Sequence, residues 1–182
     1  MRKKIIYFNG MPGAGKLTIA KMVAEKTDAR LIDNHKFNNL LFDIKSFDEE
    51  VPKFVWKSLR NIKREIFGLL EVLPQDNDYI FTGITTKFKE NMSFNGVKDL
   101  AEKLNADFYL VNLVCDESEL LNRIDTTSRK EKKKITCKEL YQELIDVSCL
   151  KLMDISKSLT IDNSNLTEKE TFDKVMDFLN SN

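Results

Sequence analysis

The chain has 182 residues, 42% of them hydrophobic, which is the size of a single domain able to bury its own core. Its 29 basic residues are matched by 29 acidic ones. That balance excludes a whole-chain attraction to nucleic acid or to an anionic membrane, so any anion binding has to come from a local cluster.

The start, Met1-Arg2-Lys3-Lys4, is basic, but only Ile5, Ile6, Tyr7 and Phe8 follow as an apolar run, too few for a secretory signal. No run is long enough to span a bilayer. Cys115, Cys137 and Cys149 are odd in number and none pairs as C-x-x-C, which argues against a disulfide framework or structural zinc. A cytoplasmic location, with no membrane association, is the expectation.

Residues 5–8 read as a buried strand that ends at Asn9-Gly10. A helix over 17–26 follows, with Ile19, Met22 and Val23 on one face. A second strand over 29–32 ends in a polar corner, Asp33-Asn34-His35. Ser46-x-x-Glu49 has the form of a capping box. From Pro52 onward Val55, Leu59, Ile62, Ile66, Leu69 and Leu73 recur at helical spacing, a single apolar stripe stopped by Pro74. Strand three spans 79–82 and closes at Gly83. A helix is expected over 97–104. Residues 108–114 are nearly all apolar, as expected of a strand covered on both faces. A short helix runs from Asp116 to Ile124, residues 125–134 form a strongly basic loop, and Thr136-x-x-Glu139 opens another helix. Strand five spans 159–161, and Thr167-x-x-Glu170 caps a final helix with Phe172, Val175, Met176 and Leu179 inward. Five strands alternating with helices predict one α/β domain over 1–182, a three-layer sandwich around a parallel sheet.

Three of the six glycines, Gly10, Gly13 and Gly15, fall within six residues directly after the first strand. The segment Gly10-Met11-Pro12-Gly13-Ala14-Gly15-Lys16 fits G-x-x-x-x-G-K. Glycines let successive N–H groups point into one concavity, where a side chain would block a phosphate oxygen. The lysine reaches the β- and γ-phosphates, and the helix that starts there adds its positive end. Residues 10–18, ending in Leu17 and Thr18, are therefore the predicted nucleotide cradle, for ATP or GTP. The residue after the lysine is ordinarily Ser or Thr, whose hydroxyl ligates Mg²⁺. Here it is Leu17, and Thr18 is turned about 100° away along the helix. No protein metal ligand is assigned; Mg²⁺ is expected to ride on the nucleotide and on waters.

Asp33, at the carboxyl end of the second strand, lies where ligands collect in open α/β sheets. It reads either as a base for an attacking hydroxyl or a holder of Mg²⁺ through water, or as a helix cap, a role Asn34 could fill equally. His35, the only histidine, is placed for substrate contact. The third strand ends without a carboxylate, which puts more weight on Asp33. Arg123 and Arg129 flank the basic loop and are read as neutralising charge on a transferring phosphoryl group. Lys130, Lys132, Lys133 and Lys134 read as a solvated charge run. Lys57, Arg60 and Arg64 either meet an anionic substrate or form a solvated helix face.

On these residues the sequence resembles the small P-loop phosphotransferases: nucleoside monophosphate kinases, shikimate kinase, chloramphenicol phosphotransferase and zeta-toxin-like kinases. It looks closest to bacterial proteins with a Gly-Lys-Leu-Thr loop. The resemblance rests on residues 10–18, on Asp33-Asn34-His35 and on Leu121-x-Arg123…Arg129. It implies strand order 2-3-1-4-5, a substrate-covering helical segment near 37–73 and a lid near 125–134. It also places Asn163, in the turn Asp162-Asn163-Ser164, beside the base. The activity implied is phosphoryl transfer from ATP to the hydroxyl or phosphate of a small molecule, by a monomer or homodimer. Leu17 and the missing third-strand acid instead favour a nucleotide-binding regulatory protein with little catalysis. A kinase of nucleic-acid ends is disfavoured by zero net charge and no aromatic-basic interleaving.

Overall fold

The computed structural model describes residues 2–44, 52–74, 76–85, 92–124 and 155–181. The Ser46–Glu49 box, the loop and lid over 125–134 with Arg129, the helix expected after Thr136, and Cys137 and Cys149 lie outside them.

Five strands, β1 (Lys4–Gly10), β2 (Arg30–Asp33), β3 (Tyr79–Gly83), β4 (Asp107–Val114) and β5 (Ser158–Asp162), form one parallel sheet in the order β2-β3-β1-β4-β5. The two-residue period of β1 explains its unbroken apolar sequence. Ile6 and Phe8 pack on one side with α1 (Lys16–Thr27) and the C-terminal helix, while Ile5 and Tyr7 pack on the other. The helices on that second side are α3 (Lys53–Val72) and α4 (Met92–Lys103). α2 (Asn34–Ile44) follows β2 directly, α5 (Glu117–Ile124) follows β4, and α6 (Glu168–Ser181) closes the chain. Among the described residues no helix is long and apolar enough to cross a membrane.

The capping box before α6 forms in both directions. Thr167 N–H donates to Glu170 Oε2 at 2.8 Å, and Glu170 N–H donates to Thr167 Oγ1 at 3.1 Å. Three expectations need correction. The polar corner after β2 is helical: Asp33 Oδ1 accepts the His35 N–H at 3.2 Å, so Asn34 and His35 form the first turn of α2. α4 starts five residues earlier than expected, at Met92, with Gly96 inside it. A Cβ on Gly96 would lie 2.8 Å from the Phe67 ring, so the glycine serves close approach of α3 and α4 rather than helix termination. The apolar stripe of α3 also ends differently: Leu69 and Leu73 are 49% and 43% exposed, and the buried face runs through Val55, Leu59 and Leu70 with Phe67 against the core.

Candidate nucleotide and phosphotransfer site

The cradle is built at the carboxyl edge of β1. Gly10 pairs with Leu113 of β4, and a Cβ there would lie 2.6 Å from the Leu113 carbonyl oxygen, so only glycine lets the loop leave the sheet at this point. Gly13 and Gly15 adopt φ of 95° and 83°, in the left-handed region, and the Ala14 N–H returns to the Met11 carbonyl at 3.1 Å. Gly15 is the N-cap of α1 and offers no side-chain cap, so the first-turn N–H groups are left for an anion. Lys16 Nζ donates to the Gly10 and Met11 carbonyls at 2.7 and 2.9 Å, which folds the ammonium over the loop. These residues fit a bound triphosphate.

The donor set for Mg²⁺ is sparser. Leu17 has no oxygen, and among the described residues no three His, Cys, Asp or Glu side chains group as metal ligands.

Asp33 is 6% exposed and fixed at the end of β2. Its Oδ1 accepts both the Thr82 hydroxyl at 2.8 Å and the His35 N–H at 3.2 Å, while Oδ2 has no hydrogen-bond partner among the described residues. The register aligns Asp33 with Thr82 and Thr82 with Phe8. At about 4.8 Å per strand, Asp33 stands roughly 10 Å across the sheet from β1, a gap wide enough for a terminal phosphoryl group and an attacking hydroxyl.

On the opposite flank Asn163 links β5 to the loop. Its Nδ2 donates to the Ala14 carbonyl at 3.0 Å. Arg123 donates from Nε to Glu119 Oε1 at 2.7 Å, from Nη2 to the Asn163 carbonyl at 3.0 Å and from Nη1 to Asn163 Oδ1 at 3.5 Å. The Arg123 hydrogen bond holds the Glu119 carboxyl below its ordinary pKa. These contacts draw Arg123 towards the β5 turn.

A polar relay, unread in the sequence, runs from the buried amides of Asn9 and Asn112 to the exposed Thr160 and ties the cradle to its neighbours. Asn9 Nδ2 donates to Asn112 Oδ1 at 2.8 Å, Asn112 Nδ2 donates to Thr160 Oγ1 at 3.3 Å, and Asn9 Oδ1 accepts the Thr85 N–H at 2.9 Å. It sets the chain after β3 against the strand that launches the loop. The signal is the register: Asn9 of β1 aligns with Asn112 of β4, and Asn112 with Thr160 of β5.

Lys57, Arg60 and Arg64 all lie on the exposed face of α3. The cation that faces inward is Lys63, which the stripe analysis passed over. Its signal is spacing: Val55, Leu59, Lys63 and Phe67 follow at intervals of four, and Lys63 is the charged member of that set.

A glycine-rich loop between β1 and α1, on a parallel sheet of order 2-3-1-4-5, defines a P-loop nucleoside-triphosphatase fold of the kinase-like type. The chain belongs to the AAA domain family, whose profile matches residues 6–151. Among solved structures it is similar to a candidate kinase from Chloroflexus aurantiacus, with TM-score 0.71 and 16% identity over 100% of this chain and 98% of that one. A gluconokinase from Sinorhizobium meliloti gives TM-score 0.63 and 14% identity, covering 98% and 92%. The APS kinase of Mycobacterium tuberculosis, solved with AMPPNP and APS, gives 0.60 and 17%, covering 98% of each chain. At these identities the likeness shows the fold. A comparison with curated proteins gives no match.

Proposed function

We propose that the protein transfers the γ-phosphoryl group of ATP to a hydroxyl or phosphate oxygen of a small molecule. The observation that carries this reading is the Asp33 carboxylate, fixed through Oδ1 and open at Oδ2, across the gap from the cradle. Residues 10–18 hold the triphosphate, and Lys16 leaves its carbonyl partners to neutralise charge on the β- and γ-phosphates. The acceptor oxygen forms a bond to the γ-phosphorus as the bridging β–γ oxygen departs with ADP. When the acceptor is a hydroxyl, its proton passes to Asp33 Oδ2. Bound Mg²⁺ would supply further charge neutralisation at the phosphate oxygens. Leu17, in the place of the usual hydroxyl, supports the alternative of a nucleotide-binding regulatory protein with weak catalysis.

The test is ATP consumption with a panel of sugars, nucleosides and antibiotics. An increase above the acceptor-free rate with at least one panel member supports transfer. A flat response across the panel with tight ATP binding supports the regulatory reading.

Arg123 is assigned here to support the Asn163 turn rather than the transferring group. Arg123→Ala should raise the KM for ATP more than it lowers kcat, since it removes a brace made equally in ground and transition states. A fall in kcat at unchanged KM would return Arg123 to a transition-state role.

A further inference from the structure

Beneath α3, the carboxyl ends of β2 and β3 and the start of α4 enclose a small cavity, lined in part by Tyr7, Asn34, Phe37, Lys63, Phe67 and Thr82. Two of these groups are under-satisfied. Lys63 Nζ donates to Asn34 Oδ1 and lies 5.8 Å from the centroid of the Phe37 ring, and no carboxylate among the described residues forms an ion pair with it. A neutral amide and a ring face offset only part of the cost of taking an ammonium out of water. Burial accordingly pushes its pKa down to about 8. Tyr7 is 1% exposed, and its hydroxyl has no hydrogen-bond partner among the described residues. Burial drives the Tyr7 pKa up, so the phenol stays a neutral donor. The Tyr7 hydroxyl packs directly on Gly83, where a Cβ would lie 1.9 Å from its oxygen. Thr82 lines the cavity and donates to Asp33, so the cavity adjoins the proposed base.

We infer that this cavity is the head-group subsite of the acceptor, which carries a carboxylate, phosphate or sulfate held by the Lys63 ammonium and the Tyr7 hydroxyl, with its apolar body against Phe37 and Phe67. The inference deepens the phosphotransfer reading and rests on it. At about 20 Å³ the cavity takes a water-sized group as it stands, so an oxyanion enters with an outward shift of α2 or α3.

The pH dependence follows from the groups facing Lys63. Among the described residues, β1 presents Tyr7, α2 presents Asn34 and Phe37, β3 presents Phe81 and Thr82, and α4 presents Ser93 and Val97, all uncharged at neutral pH; Asp33 stands behind Thr82. Oxyanion binding should therefore weaken as pH rises through about 8, where Lys63 loses its proton. The sign for stability is opposite. The folded-state pKa lies below the ordinary 10.5, so the penalty is full below about 8 and is relieved as pH climbs towards 10.5.

The test saturates the protein with AMPPNP, so that the loop is occupied, and titrates sulfate against chloride at constant ionic strength while following Tm. Wild type, Lys63→Met, Lys63→Arg and Tyr7→Phe are compared. General exclusion of sulfate from protein surfaces cancels between variants. The wild type should show a saturable rise in Tm beyond that of Lys63→Met, with Lys63→Arg retaining it and Tyr7→Phe reducing it. Without sulfate, Lys63→Met should melt about 2–4 °C above wild type, because a buried unpaired charge is replaced by an apolar chain of similar length. The AMPPNP-dependent shift should be the same in all four. Equal sulfate responses in wild type and Lys63→Met overturn the inference; if Lys63→Met does not fold, a wild-type response in Tyr7→Phe overturns it. In the acceptor panel, equal turnover of an acidic acceptor and its neutral analogue overturns the subsite and leaves phosphotransfer standing. A Lys63-dependent sulfate response with no acceptor-stimulated turnover supports the subsite and removes phosphotransfer.

Discussion

Asp33→Asn should lower acceptor-dependent turnover by about 10²–10⁴-fold, the usual worth of a positioned general base. The substitution isolates the proton-accepting role. An asparagine carbonyl at the Oδ1 position still accepts the Thr82 hydroxyl at 2.8 Å and the His35 N–H at 3.2 Å, so both the link to β3 and the start of α2 are kept. Asn caps a helix as well as Asp does, and the fold should be little affected. What is lost is the negative charge at Oδ2. The rise in Tm caused by ATP should persist, because no part of the cradle over residues 10–18 touches this carboxylate through a hydrogen bond among the described residues. Steady-state rates and melting curves on the same preparations check both halves. Full activity in the Asn variant, with normal melting, would reduce Asp33 to a cap.

Lys16→Ala should remove most nucleotide-dependent stabilisation. A ligand at 100 times its Kd stabilises by about 2.7 kcal/mol, which for a chain of this length is a Tm rise of roughly 5–10 °C. Lys16 now rests on the Gly10 and Met11 carbonyls at 2.7 and 2.9 Å and is half-buried against the loop, so the alanine variant loses two hydrogen bonds as well as the phosphate contact. The comparison is therefore the ATP-induced shift within each protein, not the Tm of the nucleotide-free forms. A mutant whose shift equals that of wild type would place nucleotide binding elsewhere or nowhere.

Much of the fold could be read because its signals are local. The β1 run, the glycines and the helix after Lys16 all fall within residues 4–27, and the loop geometry is set by Gly10, Gly13 and Gly15 themselves. The capping box at Thr167 and Glu170 is also local, and it forms as the spacing predicts. The strand order came from resemblance, since parallel crossovers leave no short-range mark on the pairing. Features set by distant contacts were missed. The start of α4 at Met92, five residues ahead of the expected helix, places Gly96 inside it, where the Phe67 ring packs against the glycine. The apolar spacing predicts an inner face of α3 through Leu69 and Leu73, whereas packing on β3 and α4 turns Phe67 and Leu70 inward. That rotation is what brings Lys63 to the cavity; a stripe defined by apolar residues alone passes over the one cation inside it. The polar relay from Asn9 to Thr160 depends on strand register, which becomes visible once β4 is placed between β1 and β5. The sequence leaves Asp33 open as cap or base; the structure shows the capping bond at Oδ1, and the base role at Oδ2 belongs to the proposal.

The central claim is that a phosphoryl group leaves ATP for an acceptor held near Asp33. Phosphorus NMR of the protein with ATP, Mg²⁺ and a panel of small acids bearing a hydroxyl or phosphate tests it most directly. The account predicts a new phosphate-ester or phosphoanhydride resonance that grows as ADP appears, in wild type but not in Asp33→Asn when the acceptor is a hydroxyl. ATP that stays intact, or decays only to ADP and inorganic phosphate at the same rate with and without every panel member, would contradict it.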